Sequence, residues 1–176
     1  MKFIPTELAG AYVVEPERME DDRGFFARMF CRDEFAAHGL HPAFVQCNVS
    51  FSIRKGTLRG LHFQQKPHEE AKLVRCTRGK IWDVIADIRR GSPTCGRWAA
   101  FELTAENRRM VYVPEGFAHG LQTLEDNCEV LYQMSEMYYP GLARGVRWSD
   151  PYLGIRWPLA DPIVSRGDAE LPHFEP

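Results

Sequence analysis

The fold is read first from AFVQCNVSFSI, residues 43–53. Val45, Cys47, Val49, Phe51 and Ile53 fall on one face of an extended chain, and Gln46, Asn48, Ser50 and Ser52 on the other. Successive side chains of a strand point to opposite sides, so this strict alternation predicts a strand. Working outward, strand-like runs recur at 57–65, 71–77, 80–88, 98–103, 109–113, 119–124 and 128–135. Turn signals separate them at Pro67, Gly79, Gly91–Pro93, Thr104–Asn107, Pro114–Gly116 and Glu125–Asn127. Many short strands at this spacing predict an all-β sandwich or closed barrel. Helices are few. Residues 32–38 predict one short helix ended by Gly39. Ser165 opens S-R-G-D, a capping-box pattern that predicts a last one.

A chain of 176 residues suits one domain, taken as 1–176, with room for a sizeable core. The formal net charge of −2 argues against a nucleic-acid or membrane surface, so any phosphate-binding charge must be local. Cys31, Cys47, Cys76, Cys95 and Cys128 are odd in number and form no CxxC pair, which points to reduced thiols rather than a disulfide frame or zinc ribbon. The opening MKFIPTEL has no apolar stretch of signal-peptide length, and no run approaches about 18 apolar residues. The expectation is a soluble, cytoplasmic protein.

The densest segment for chemistry is GTLRGLHFQQKPHEEAKLVRCTRG, residues 56–79. In a barrel, polar residues on inward faces line a cavity and require a partner or a ligand. His62 shares a face with Leu58, Gly60 and Gln64; its plain alternative is a hydrogen-bonded barrel histidine. Arg59, Lys72 and Arg75 favour an anionic ligand, since guanidinium groups bind phosphate bidentately. Lys72 shares a face with Val74 and Cys76, unusual for a lysine that is neither paired nor used; the alternative is an edge residue reaching for water. Tyr132 shares a face with Cys128, Val130 and Met134, and is otherwise a core tyrosine tied to backbone. Tyr138 and Tyr139 either stack on a base or cover the barrel mouth.

PEGFAHG, residues 114–120, matches P-x-G-x-x-H, the second motif of cupin barrels. The first cupin motif needs H-x-H followed by Glu and Gly. Here it reads His62-Phe63-Gln64, then Glu69 or Glu70, then Gly79, without the second histidine. The chain therefore resembles a cupin-type jelly-roll barrel whose metal triad has been dismantled. Bound iron or manganese wants about three His and carboxylate ligands, and only His62, His119 and Glu70 remain.

GTLRGLHFQ, AKLVRCTRGKIWDVIADIRRGSPT, ELTAENRRMVYVPEGFAHG and EVLYQMSEMYYP resemble the dTDP-4-dehydrorhamnose 3,5-epimerase family. So do D-R-G-F-F at 22–26, Q-C-N-V-S at 46–50, GVRWSDPYLGIRWP and the late S-R-G-D. The resemblance runs from about residue 3 to residue 172. It implies a metal-free, cofactor-free jelly roll that forms a homodimer, acts on a nucleotide sugar, and works in deoxysugar biosynthesis. It implies that His62 is the general base, oriented by Asp168, and that Tyr132 is the acid on the opposite face of the sugar. Lys72 then stabilises the enolate oxygen. Arg23, Gln46, Asn48, Arg59 and His119 hold the sugar and diphosphate, and Tyr138 stacks on the base. Asp168 keeps its other reading as the end of a capping box. Arg28, Ala143 and Gly167 depart from the residues common in the family, where acid, Glu and Lys are usual, and bear on which nucleotide and sugar is taken.

The implied reaction is coherent as chemistry. A 4-keto group acidifies the hydrogens on C3 and C5, and removing one leaves an enolate whose charge sits on the carbonyl oxygen. A positioned ammonium stabilises charge where it develops. Histidine titrates near neutral pH and can take the proton. Inversion requires the proton to return from the other face, hence a second group. The competing readings are a C3- or C5-only mono-epimerase, a metal-dependent cupin, and a non-catalytic sugar-binding barrel.

Overall fold

The computed structural model describes residues 1–176. Along the chain come Lys2–Pro5 (β1), Tyr12–Glu15 (β2), Arg18–Asp21 (β3), Gly24–Ala27 (β4), the helix Arg32–Ala37 (α1), Gln46–Ser52 (β5), Thr57–Gln64 (β6) and Lys72–Arg78 (β7). Lys80–Asp87 (β8), Trp98–Thr104 (β9), Met110–Val113 (β10), Phe117–Thr123 (β11), Cys128–Met134 (β12), Ala143–Gly145 (β13), Ile163–Val164 (β14) and Arg166–Ala169 (α2) complete it. One sheet is ordered β1-β2-β10-β7-β12-β5 and the other β13-β6-β11-β8-β9, with β14 added parallel to β6; β3 and β4 form a separate hairpin. The expected strands from 57 to 135 all form within two residues of their predicted limits. The four N-terminal strands have four residues each, too few for an alternation to stand out in the sequence.

The two large sheets face each other as an all-β jelly roll of the cupin type. Val74, Cys76, Val111 and Val130 from the first sheet meet Ile81, Ile85, Leu103 and Leu121 from the second in a buried cluster. That cluster closes one end of the barrel. The outer face of the first sheet is covered by α1, where Phe35 packs with Leu73, Met110 and Tyr112. The outer face of the second is covered by the chain beyond residue 145, through Leu61, Val84, Ala86, Val146 and Leu153. As expected, α1 ends at Gly39, whose φ of +69° suits glycine. No helix is long and apolar enough to cross a membrane. All five cysteines are free, and burial pushes the Cys76 thiol up to about 12, with Cys128 nearby adding to the shift.

The turn between β8 and β9 is organised by one carboxylate. Asp87 is fully buried and accepts hydrogen bonds from Arg89 Nη2 at 2.8 Å, Ser92 Oγ at 2.6 Å and Thr94 Oγ1 at 2.6 Å. Burial penalises its charge, but these donors and the Arg89 N–H outweigh that and hold the carboxyl down at about 2.

Strand β5 departs from ordinary patterning. Its alternation is as expected, but Gln46, Asn48 and Ser50 face the barrel interior, while Val49 and Phe51, 58% and 44% exposed, face outward. Val45 and Ile53 beside them are also exposed. Binary patterning alone sends apolar faces inward; here the interior at this end is a polar cavity, so the parity is kept and the faces are exchanged.

Candidate active site

The open end of the barrel encloses a cavity of about 1010 Å³. His62, Lys72, Tyr132, Asp168, Asn48, Gln46, Arg59, His119 and Tyr138 all line it, so every expected site residue but one reaches the same space. The exception is Arg23. It sits in the turn of the β3–β4 hairpin, fully in solvent, with its guanidinium 2.6 Å from Asp21. The cause is topological: the hairpin pairs with neither large sheet. Among the departures from family pattern, Ala143 lines the cavity; Arg28 pairs with Glu34 on the surface, and Gly167 is not part of the lining.

The placement of Arg59 needs explanation. Arg59 and His62 are three residues apart, an odd interval that puts side chains on opposite faces of a regular strand. In β6 both line the cavity. His119 pairs with His62, but Leu121 pairs with Arg59, so a bulge lies between them. Gly60 has φ of +116°, and a Cβ there would meet Gly120 Cα at 2.6 Å. Only glycine permits this backbone approach. The expected face of Leu58, Gly60, His62 and Gln64 is therefore interrupted. Arg59 is held by Ser52 Oγ at 3.1 Å and the Phe51 carbonyl at 3.0 Å.

Three basic groups on the cavity wall, His62, Lys72 and His119, are each backed by a carboxylate. His62 Nε2 lies 2.7 Å from Asp168 Oδ1, and the other Asp168 oxygen accepts the Gly60 N–H at 3.1 Å. Lys72 Nζ lies 3.0 Å from Glu70 Oε1, both side chains nearly buried, and donates to the His62 carbonyl at 3.2 Å. Lys72 is thus a paired interior lysine rather than an edge residue. His119 Nε2 lies 2.8 Å from Asp83 Oδ1, on a carboxylate with no solvent exposure. Glu70 Oε2 and Asp83 Oδ2 are buried without a hydrogen-bond partner. Asp83 escaped the sequence reading, although its alternation with Ile81 and Ile85 in KIWDVIAD marked an acid on an inward face. Glu70, a remnant metal ligand by its place in the cupin motif, is here the partner of Lys72.

Asp168 fulfils both of its readings in part. Ser165 Oγ caps α2 by accepting the Asp168 N–H at 3.1 Å. The Asp168 carboxylate does not reach back to complete a capping box; it turns to His62. Burial opposes its charge, yet the His62 hydrogen bond and charge, the Gly60 N–H and Arg59 together lower its carboxyl. The Tyr132 hydroxyl moves the other way. Burial raises it, with Glu70 and Tyr138 adding and Arg59 and the Asn48 amide opposing.

The rim is set by two glutamines. Gln46 Oε1 accepts the Tyr138 N–H, and Gln64 Oε1 accepts the Tyr139 N–H at 2.6 Å. Tyr139 stacks on His68 at 3.8 Å between centroids, leaving Tyr138 half-exposed over the cavity. Gln46 thus holds the aromatic loop as well as lining the site.

The donors do not fit a metal centre. No three His, Cys, Asp or Glu side chains converge on one point. The Nε2 atoms of His62 and His119 each face a different carboxylate instead of a shared position.

Fold and cavity together define the class, a cupin-type jelly roll of the sugar-isomerase kind. The chain belongs to the dTDP-4-dehydrorhamnose 3,5-epimerase family, whose model matches residues 5–176. It is 48% identical to the dTDP-4-dehydrorhamnose 3,5-epimerase of Methanothermobacter thermautotrophicus over 95% of this chain and 91% of that one. The structure of the Bacillus anthracis dTDP-4-dehydrorhamnose 3,5-epimerase with TDP and PPi bound superposes with a TM-score of 0.94 at 42% identity, covering 98% of both chains. A 3'-monoepimerase from Streptomyces bikiniensis in complex with dTDP-quinovose superposes with a TM-score of 0.89 at 35% identity, covering 97% of this chain and 87% of that one.

Proposed function

We propose that this protein converts dTDP-4-dehydro-6-deoxy-D-glucose to dTDP-4-dehydro-L-rhamnose by moving protons at C3 and C5. The observation that carries this reading is that His62 and Tyr132 reach the cavity from opposite walls. His62 stands on β6 of one sheet; Tyr132 and Lys72 stand on β12 and β7 of the facing sheet. A sugar ring lying between the sheets meets a base on one face and an acid on the other, which inversion requires.

In this reading His62 takes the proton and Asp168 fixes its ring and favours the charged imidazolium as it forms. Lys72 lies where charge develops on the C4 oxygen, and its near-burial strengthens such an interaction. Tyr132 returns a proton from the opposite face. The ring then presents its second centre to the same groups. Arg59 and His119 hold the diphosphate and sugar, Asn48 lines the sugar subsite, and Tyr138 covers the base.

The protein acts as a cytosolic homodimer in this reading. Strand β5 is a sheet edge with an apolar outer face, and the β3–β4 hairpin exposes Met19, Phe25 and Phe26. Such surfaces are unusual on a monomer. Pairing them in a second copy would also carry Arg23 away from its own barrel to a neighbouring cavity. Phe26→Glu is expected to give a monomer by sedimentation; a dimer unchanged at micromolar concentration would refute this arrangement.

The test of the reaction is incubation with dTDP-4-dehydro-6-deoxy-D-glucose in deuterium oxide, followed by NMR. Deuterium at both C3 and C5 with the L-lyxo product supports the proposal. Exchange at one carbon makes the protein a mono-epimerase, and exchange at neither removes the catalytic reading.

A further inference from the structure

The segment that carries Asp168 has little to hold it in place by itself. Helix α2 has four residues, too few for backbone bonds to stabilise it alone. Its position comes from anchors on either side. Before it, β14 pairs with β6, and the Gln122 side chain makes two hydrogen bonds with the Leu159 backbone, at 2.9 and 3.0 Å. After it, Arg147 Nε donates to the Leu171 carbonyl at 2.9 Å and the Arg147 backbone N–H to the Pro172 carbonyl at 2.8 Å. The last anchor is Asp150. Its carboxylate is fully buried and lies outside the cavity lining. Oδ1 accepts the Leu153 N–H at 2.8 Å, and Oδ2 accepts the Phe174 N–H at 2.8 Å with His173 Nδ1 at 3.2 Å. One carboxylate thus ties residue 153 to residues 173 and 174 and closes the loop between them.

We propose that Asp150 is a positioning residue for the His62–Asp168 dyad, acting through this strap although it touches neither member. The inference rests on the reading of that dyad as the catalytic base. A base must be placed to within a fraction of an ångström, and a displacement of about 1 Å can reduce rate about 10²-fold. A buried carboxylate that accepts two backbone N–H groups is a rigid clamp, because each N–H left without it loses its partner. Loosening the strap moves Asp168 while leaving Lys72, Tyr132 and the diphosphate-binding residues in place.

The test is a double-mutant cycle in steady-state kinetics, with thermal melts to establish folding. Asp150→Asn is expected to lower kcat roughly ten-fold or more, with KM within about two-fold. Added to Asp168→Asn, it is expected to cause no further loss. Phe174→Pro removes one donor N–H without altering the carboxylate, and is expected to give the same pattern should Asp150→Asn not fold. A folded Asp150→Asn or Phe174→Pro with unchanged kcat, or losses that multiply with that of Asp168→Asn, overturns the proposal. Should Asp168→Asn alone keep full activity, the dyad reading falls and the inference with it.

Discussion

His62 Nε2 and Asp168 Oδ1 lie 2.7 Å apart across 106 residues of chain. The short contact pairs an imidazole half open to the cavity with a carboxylate largely withdrawn from solvent. The carboxylate can only accept, so it selects the ring tautomer whose Nε2 carries the proton and leaves Nδ1 as the acceptor nitrogen.

Replacing Asp168 by Asn removes that selection while keeping the shape. A loss in kcat of roughly 10²–10⁴-fold is expected in steady-state assays. The Asp168 carboxyl is lowered from its ordinary value of about 3.9. Its stabilising charge is therefore fully present above about pH 4 and lost only as pH falls through the lowered value. Between pH 5 and 8 Asp168 stays ionised and should add no limb of its own to the pH–rate profile, read for the parent protein and Asp168→Asn side by side.

Tyr132→Phe should separate two steps. The raised hydroxyl keeps its proton throughout the neutral range, as an acid requires. Without it, His62 and Lys72 remain able to form the enolate. Deuterium exchange with retained configuration should continue while net epimerisation falls roughly 10²–10⁴-fold, both read by NMR in one sample. Unaltered epimerisation would assign the acid to another group.

Lys72 and Glu70 should divide chemistry from stability. Lys72→Met strands the buried Glu70 carboxylate and is expected to cost about 3–5 kcal/mol by denaturant unfolding, together with activity. Adding Glu70→Gln removes the stranded charge. Much of the stability should then return while activity does not, because the missing ammonium, not the fold, limits the rate. Recovery of both together would mark Lys72 as structural.

Asp87 should govern acid stability. Its folded value of about 2 lies below the unfolded one, so its contribution is complete above about pH 4 and disappears as pH falls toward 2. A shift of this size corresponds to on the order of 2 kcal/mol. Asp87→Asn should lower stability at pH 7 by a similar amount and flatten its fall between pH 4 and 2, measured by urea unfolding across that range. Parallel curves for both proteins would count against this role.

Sequence alone determined the strand count through the centre of the chain, because alternation is a property of the extended backbone and survives any environment. The turns at Gly79, Gly91 and Gly116 followed for a similar reason: their positive φ suits glycine locally. His62, Lys72 and Tyr132 were legible as polar residues on strand faces, and long ordered strings such as GTLRGLHFQ and PEGFAHG carried the family. What the tertiary structure decided is which face of each strand looks inward and which distant residues meet. Strand β5 turned its polar face to the cavity, since the opposing sheet there is polar too. Arg59 joined His62 because Gly60 and Gly120 approach closely enough to bulge the pair. Asp83, Glu70 and Asp168 found their partners through sheet register and the docked C-terminal strap. Such meetings depend on the sum of contacts that closes the barrel, and no local period in the chain records that sum.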